Sequence, residues 1–169
     1  KVGKDFTILI KMNVSDFLEG GIELDESKKI AEKLSKMGIS AIETSGGMWE
    51  TRIHNKDLTA SRTNIRSKDK EAYFLPYARE IKRAINVPLI LVGGIRSLDV
   101  AERILAEGSA DFVALCRPLI REPDLPNKWL RGVRGLTAEC ISCNACYESL
   151  TNGNVRCIQK ERTEKRGRN

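Results

Sequence analysis

Four of the five cysteines crowd into the C-terminal stretch, as Cys140, Cys143 and Cys146 in a C-x2-C-x2-C run and Cys157 after ten intervening residues. Thiolates are ligands for soft metals. Three at this spacing can each take one corner of an iron–sulfur cluster while a fourth arrives from a distant turn, here at Gly153. Four thiolates also suit zinc, although zinc sites more often use two separated C-x2-C pairs. A set of buried, unligated thiols is the bland alternative. Cys116 stands apart from the set.

A second constellation lies upstream. The stretch Leu91-Val92-Gly93-Gly94-Ile95-Arg96-Ser97 follows an apolar run and precedes a helical pattern. Glycines let backbone N–H groups approach an anion, and a following helix N-terminus adds a favourable dipole. Cys116-Arg117-Pro118 ends the next apolar run, and Arg117 can pair with phosphate. A tight turn explains a glycine pair just as readily when it stands alone. Lys11 closes the first apolar run, where a cation either points into a catalytic face or snorkels from the surface. His54 is the only histidine and lies in a polar loop near Trp49, Glu50 and Arg52. A hydrolase set of Ser, His and Asp, a Walker loop and a Rossmann glycine fingerprint are all missing.

These residues hang on a repeated pattern of strand, loop and amphipathic helix over the first 118 residues. Residues 6–10 read as a strand buried on both faces. Asp25 offers an N-cap, Ile30, Leu34 and Met37 recur at helical spacing, and Gly38 supplies the stop. Residues 40–44 read as the second strand, followed by a long polar loop. Phe74, Ala78, Ile81 and Ile85 mark a helix face, residues 87–92 the third strand. Ser97 can cap a helix carrying Val100, Ala101, Ile104 and Leu105, closed by Gly108, and residues 112–115 are the fourth strand. Alternation of this kind implies parallel pairing with right-handed crossovers. Four βα units fit a small open α/β sheet or half of an eightfold barrel, since a whole TIM barrel needs about 250 residues. In a barrel the phosphate site is commonly built by the loops after the last two strands, where the two candidate loops would sit. Beyond Pro118 the texture changes: residues 121–127 read as a turn or very short helix, and the cysteine segment follows as an appended module. The expected division is 1–135 for the βα units and 136–169 for the cysteine segment and basic tail.

Composition agrees with a globular chain: 41% hydrophobic and 31% charged over 169 residues, with no apolar run near the 20 or so residues that span a bilayer. The net charge of +6 is interleaved with acids except in residues 160–168, which reads as a solvated face and a frayed end rather than a nucleic-acid patch. Without a signal-peptide core at the N-terminus, a cytoplasmic protein that binds neither nucleic acid nor membrane is expected. An odd number of clustered cysteines in such a chain argues for metal rather than disulfides.

In this order the motifs resemble the second half of the Old Yellow Enzyme family, in its 2,4-dienoyl-CoA reductase and trimethylamine dehydrogenase branch. The likeness is carried by residues 8–13, 38–47, 87–97, 111–129 and 140–157. It implies a TIM barrel with FMN at the C-terminal face. Lys11 would contact the flavin pyrimidine edge and stabilise negative charge on the reduced ring. Gly93, Gly94 and Ile95 would cradle the FMN phosphate, helped by the N–H of Cys116 and by Arg117. Cys140, Cys143, Cys146 and Cys157 would bind a [4Fe–4S] cluster near the flavin, although the last interval is shorter than in trimethylamine dehydrogenase. Two departures stand out. The first apolar run corresponds to the family's fifth strand, so the first four strands and the tyrosine acid are not in this chain, and no nucleotide-binding domain follows the cysteines. The reductase branch also has a histidine near residues 48–50, where this chain has none.

The resemblance implies an oxidoreductase passing hydride from NAD(P)H through FMN to a small organic acceptor, with the catalytic residues unassigned. This chain would then be a fragment of the barrel, inactive alone, forming a homo-oligomer or pairing with the absent half. Two other readings compete: a flavin-free phosphate-binding barrel enzyme, and a catalytically silent half-barrel that assembles with a partner.

Overall fold

The structure, a computed structural model, describes residues 3, 5–132, 135–151 and 153–167. Four strands form one parallel sheet in the order β1 (Leu9–Asn13), β2 (Ala41–Ser45), β3 (Leu89–Leu91) and β4 (Phe112–Val113). Parallel neighbours need crossovers. These are supplied by α1 (Leu24–Lys36) after β1, by α2 (Thr51–His54) and α3 (Leu75–Ala84) after β2, and by α4 (Leu98–Ala106) after β3. Sheet order follows chain order, the arrangement of one side of a barrel rather than of a doubly wound sheet.

The helices cover one face only. Ile42, Leu89 and Leu91 from the sheet pack with Ala31, Phe74, Ala78, Ile81, Val100 and Ile104 in one buried cluster. Successive strand side chains point to opposite faces, so the residues between them line the other side. There Lys11, Glu43, Ile90 and Phe112 stand in register across all four strands. Among the described residues no layer covers that side: Leu9 is 58% exposed and Phe112 56%. In a closed barrel these positions are the packed interior.

Element by element, the sequence reading holds with shifts. The first strand starts at Leu9 rather than residue 6, because register with β2 begins at the pair Leu9 and Ala41. It is therefore not buried on both faces, and Lys11 lies mid-strand instead of closing it. Helix α1 starts one residue before Asp25, with Glu23 as its N-cap residue and Asp25 in the first turn, where a carboxylate suits the helix dipole. Gly38 ends α1 at φ +91°. The polar loop after β2 carries α2 and two 3-10 turns, Lys56–Leu58 and Lys68–Lys70.

Beyond β4 lie α5 (Arg117–Arg121), α6 (Leu125–Leu130), α7 (Cys146–Thr151) and α8 (Ile158–Arg166). Helix α8 covers most of the basic tail, which is helical rather than frayed. The cysteine segment is sewn to the C-terminal end of the strands. Thr137 bridges Ser97, Ala138 N–H donates to the Arg96 carbonyl at 2.8 Å, and Asn64 N–H donates to the Ser142 carbonyl at 3.2 Å. The buried Arg96 guanidinium donates to the carbonyls of Ile65 and Ala138. Among the described residues no helix is long and apolar enough to cross a membrane.

Candidate functional site

A cleft of about 250 Å³ opens at the C-terminal ends of the strands. Its lining includes Lys11, Gly93, Gly94, Ile95, Cys116 and Arg117, the whole set that the sequence singled out for a cofactor. The middle of β1 and the segments after β3 and β4 bring them together. Gly93 and Gly94 turn the chain after β3 with φ of +129° and +72°. Their lack of side chains has a second cause: a Cβ on Gly94 would lie 2.8 Å from the Tyr73 ring, and one on Gly93 3.0 Å from Phe74. Among the described residues none accepts a hydrogen bond from the N–H of Gly94, Ile95, Cys116 or Arg117. Residues with unpaired amides lining one cleft are suited to an anion.

The N-terminus of α4 does not share in this. The two amides just before it are taken by Glu71, a buried carboxylate that accepts from Arg96 N–H at 2.8 Å, Ser97 N–H at 2.9 Å and the Ser97 hydroxyl at 2.6 Å, and Leu98 N–H donates to the Leu136 carbonyl at 3.4 Å. A protein anion thus already sits just ahead of α4, and Ser97 occupies the N-cap position without capping through its side chain. Lys11 donates to Glu43 at 2.5 Å, its register partner on β2. This places a cation and an anion side by side at the floor of the cleft. Arg117 is buried, and its Nη1 donates to the Arg62 carbonyl at 2.8 Å and to Asn144 Oδ1 at 2.5 Å.

The four clustered cysteines line one pocket next door, together with Arg117 and Arg121. Cys140 is buried and Cys143 exposed, and all five cysteines are free thiols. Ser142 and Asn144 take left-handed backbone conformations at φ +53° and +61°, winding the run between its cysteines. Burial pushes the Cys140 thiol above the usual range, and burial together with the neighbouring Cys140 does the same to Cys146. Arg121 donates to Cys157 Sγ at 3.7 Å and to Glu139 at 2.7 Å. Burial opposes the Arg121 charge, but these two partners outweigh it and strengthen protonation. Among the described residues no three His, Cys, Asp or Glu side chains converge tightly enough for one metal ion.

Residues 1–134 match the NADH:flavin oxidoreductase / NADH oxidase family. The chain belongs to this family. An NADH oxidase of Thermoanaerobacter brockii is 37% identical over 143 residues, covering 85% of this chain and 21% of that protein. A 4,4'-dithiodibutanoate disulfide reductase of Rhodococcus erythropolis is 31% identical and covers 94% of this chain and 44% of its own length. Among solved structures, a 2-naphthoyl-CoA reductase complex superposes with a TM-score of 0.72 at 25% identity, over 92% of this chain and 23% of that one. The chain thus spans about a fifth of the NADH oxidase's length. The fold and the family resemblance drawn from the motifs are borne out, and the family is one of oxidoreductases.

Within this NADH:flavin oxidoreductase fold, several working residues escaped the sequence reading. Tyr73 forms one wall of the cleft and donates to the Ala60 carbonyl at 2.8 Å, and burial raises its hydroxyl pKa. Arg62 lies over three rings, 4.7 Å from Tyr73, 5.6 Å from Phe74 and 5.8 Å from Phe17. Asn144 and Tyr147 tie the cysteine run to Ser61, by Nδ2 to its carbonyl at 2.7 Å and by hydroxyl to hydroxyl at 3.1 Å. Only Asn144 carried a signal, its place between Cys143 and Cys146. His54 is exposed at the end of α2, outside the cleft lining.

Proposed function

We propose that this chain forms the phosphate-binding side of an FMN-dependent, NAD(P)H-oxidising reductase of small organic acceptors, with a [4Fe–4S] cluster held by Cys140, Cys143, Cys146 and Cys157. The observation that carries the flavin reading is that residues 94–95 and 116–117, whose amides have no acceptor among the described residues, line one cleft with Lys11. FMN, when bound, supplies the hydride chemistry, and the protein orients it and sets its charge environment. The amides of Gly94, Ile95 and Cys116 would hold the phosphate, with Arg117 adding positive charge behind them. Lys11, steadied by Glu43, would stand at the flavin's pyrimidine edge and stabilise negative charge there. These assignments extend to the whole protein only with the remaining strands of the barrel, where the acid and the substrate groups would lie.

Support for the cluster comes from the donor set. A cluster gives each cysteine a separate iron, which suits four thiols that line one pocket. The cluster would pass single electrons to or from the flavin, in a cytosolic setting that keeps thiols reduced.

The test uses the protein at its full natural length. Released FMN, acid-labile sulfide and iron near four per chain, together with NAD(P)H oxidation, are the expected findings. Stoichiometric zinc without sulfide would refute the cluster, and a colourless protein without flavin would refute the enzyme assignment. Arg117→Ala is expected to weaken FMN binding about 10- to 150-fold, the equivalent of a lost charge-assisted bond of roughly 1.5–3 kcal/mol. An unchanged dissociation constant would remove Arg117 from the site.

A further inference from the structure

The five residues of α5 touch both candidate sites. At one end, Arg117 lines the cleft proposed for FMN and sends Nη1 to Asn144, inside the cysteine run, and to the Arg62 carbonyl. At the other end, Arg121 lines the cysteine pocket and donates to Cys157 Sγ and Glu139. Asn144 closes the connection from its other side by donating to the Ser61 carbonyl at 2.7 Å, and Ser61 also lines the cleft. One short helix is therefore held at both termini by the segment that carries the thiols.

We propose that Arg117, Asn144 and Arg121 couple the two sites, so that filling the cysteine pocket with its cluster raises the affinity of the cleft for FMN. The inference rests on the flavin and cluster reading above. The physical argument concerns the freedom of Asn144 and Cys157. The run between Cys140 and Cys146 includes two left-handed residues, Ser142 and Asn144, a conformation that is uncommon for residues with a side chain. Ligation would pin Cys143 and Cys146 on either side of Asn144 and Cys157 beneath Arg121. Pinned, Asn144 presents a fixed acceptor to Arg117, and the guanidinium and the N–H groups at 116–117 are then held in one orientation. The ordering of the amides is no longer charged against flavin binding. By linkage, bound FMN must favour the clustered state by the same factor. Arg117, Asn144 and Arg121 act here as positioning residues.

The test is FMN titration by fluorescence of the protein at its full natural length, with the cluster present and after it has been stripped by chelator. Stripping is expected to weaken FMN binding about 10-fold, within the usual range of coupling between sites. Asn144→Ala should take up its full iron yet bind FMN about as weakly as stripped wild type, with little further loss on stripping. Asn144→Asp keeps an acceptor for Arg117 though it loses the donor to the Ser61 carbonyl, and should restore part of the difference, a rescue that loss of packing alone would not give. Should Asn144→Ala fail to assemble the cluster, Arg121→Met provides the same comparison from the other end of α5. Wild-type protein that binds both groups, with equal FMN affinity in the loaded and stripped states, would overturn the coupling alone. Protein that binds neither overturns the reading beneath it as well.

Discussion

At the scale of single residues, the site is governed by what the backbone can do where side chains leave room. Gly94 sits at φ +72° with the Tyr73 ring 2.8 Å from where a Cβ would be. Gly94→Ala therefore adds left-handed strain and a collision with an aromatic wall that is itself packed against Phe74 in an edge-on contact, 4.7 Å between centroids. A loss of roughly 1–3 kcal/mol is expected from such strain, read as a lower urea midpoint, together with weaker FMN binding as the 94–95 amides shift. A variant as stable as wild type with unaltered FMN affinity would show that the turn tolerates a side chain. The glycine pair was legible in the sequence as a turn with spare amides. The reason it must be glycine was not, because Tyr73 reaches it from a loop some twenty residues earlier. The same holds for Lys11: its residue type marked it for a site, but Glu43 as its partner follows only from register. Glu71 was invisible for a like cause, since a buried cap supplied from another loop leaves no local spacing behind.

Among the elements, sequence and structure agree where periodicity decides and diverge where pairing does. Helix α3 falls on the expected apolar spacing, with Ala78 and Ile81 buried, and α4 does so through Val100, Ala101 and Ile104 while Leu105 is exposed. Helix α1 instead buries the small residues Ser27, Ala31 and Ser35, and the expected Met37 is exposed beyond its end, because each helix buries the stripe that meets the sheet. Strand limits moved because an apolar run marks burial, whereas a strand ends where its neighbour ends. The short strands β3 and β4 are anchored by something the run does not display. Asp111, just before β4, accepts from Leu89 N–H at 2.6 Å and from Lys82 on α3 at 2.5 Å. Burial works against its charge, but these two donors outweigh it and hold its carboxyl below the ordinary aspartate range. The sign follows: a depressed folded pKa contributes stability that is present above the unfolded value of about 3.9 and is lost as pH falls through the lowered folded value. Asp111→Asn keeps an acceptor for Leu89 but not the ion pair. It is expected to lower stability at pH 7 and to flatten the fall as pH drops below the unfolded value. Parallel pH profiles for the two proteins would show that the pair contributes nothing to α3 docking.

For the molecule as a whole, the decisive feature is a sheet with one bare face. Lys11, Glu43, Ile90 and Phe112 lie in register on the uncovered side, and Leu9 and Phe112 are more than half exposed there. Family relatives extend far beyond the matched region, which is 21% of the NADH oxidase, and a barrel interior is filled by side chains from all of its strands. The described residues taken alone therefore present a face that mixes the Lys11–Glu43 pair with exposed Leu9 and Phe112, and two unpaired strand edges, β1 and β4, to water. Such edges invite pairing with another chain. A flavin seated on the cleft by its phosphate would leave much of its ring uncovered, where enclosure of most of a ligand is the norm. Catalytic groups in barrels come from several strand ends, and only four are here. The 169-residue chain purified by itself is thus expected to self-associate, to retain FMN weakly and to oxidise NAD(P)H negligibly. Co-expression with the first four strands of a family barrel should restore tight flavin and turnover together, because the same surface that buries Leu9 and Phe112 also closes over the ring. Sedimentation, flavin content and NAD(P)H consumption measure the three consequences. A stable monomer of these residues that reduces an enone at a rate typical of enzymes, on the order of 10 per second, would overturn the account of the bare face as half of a barrel.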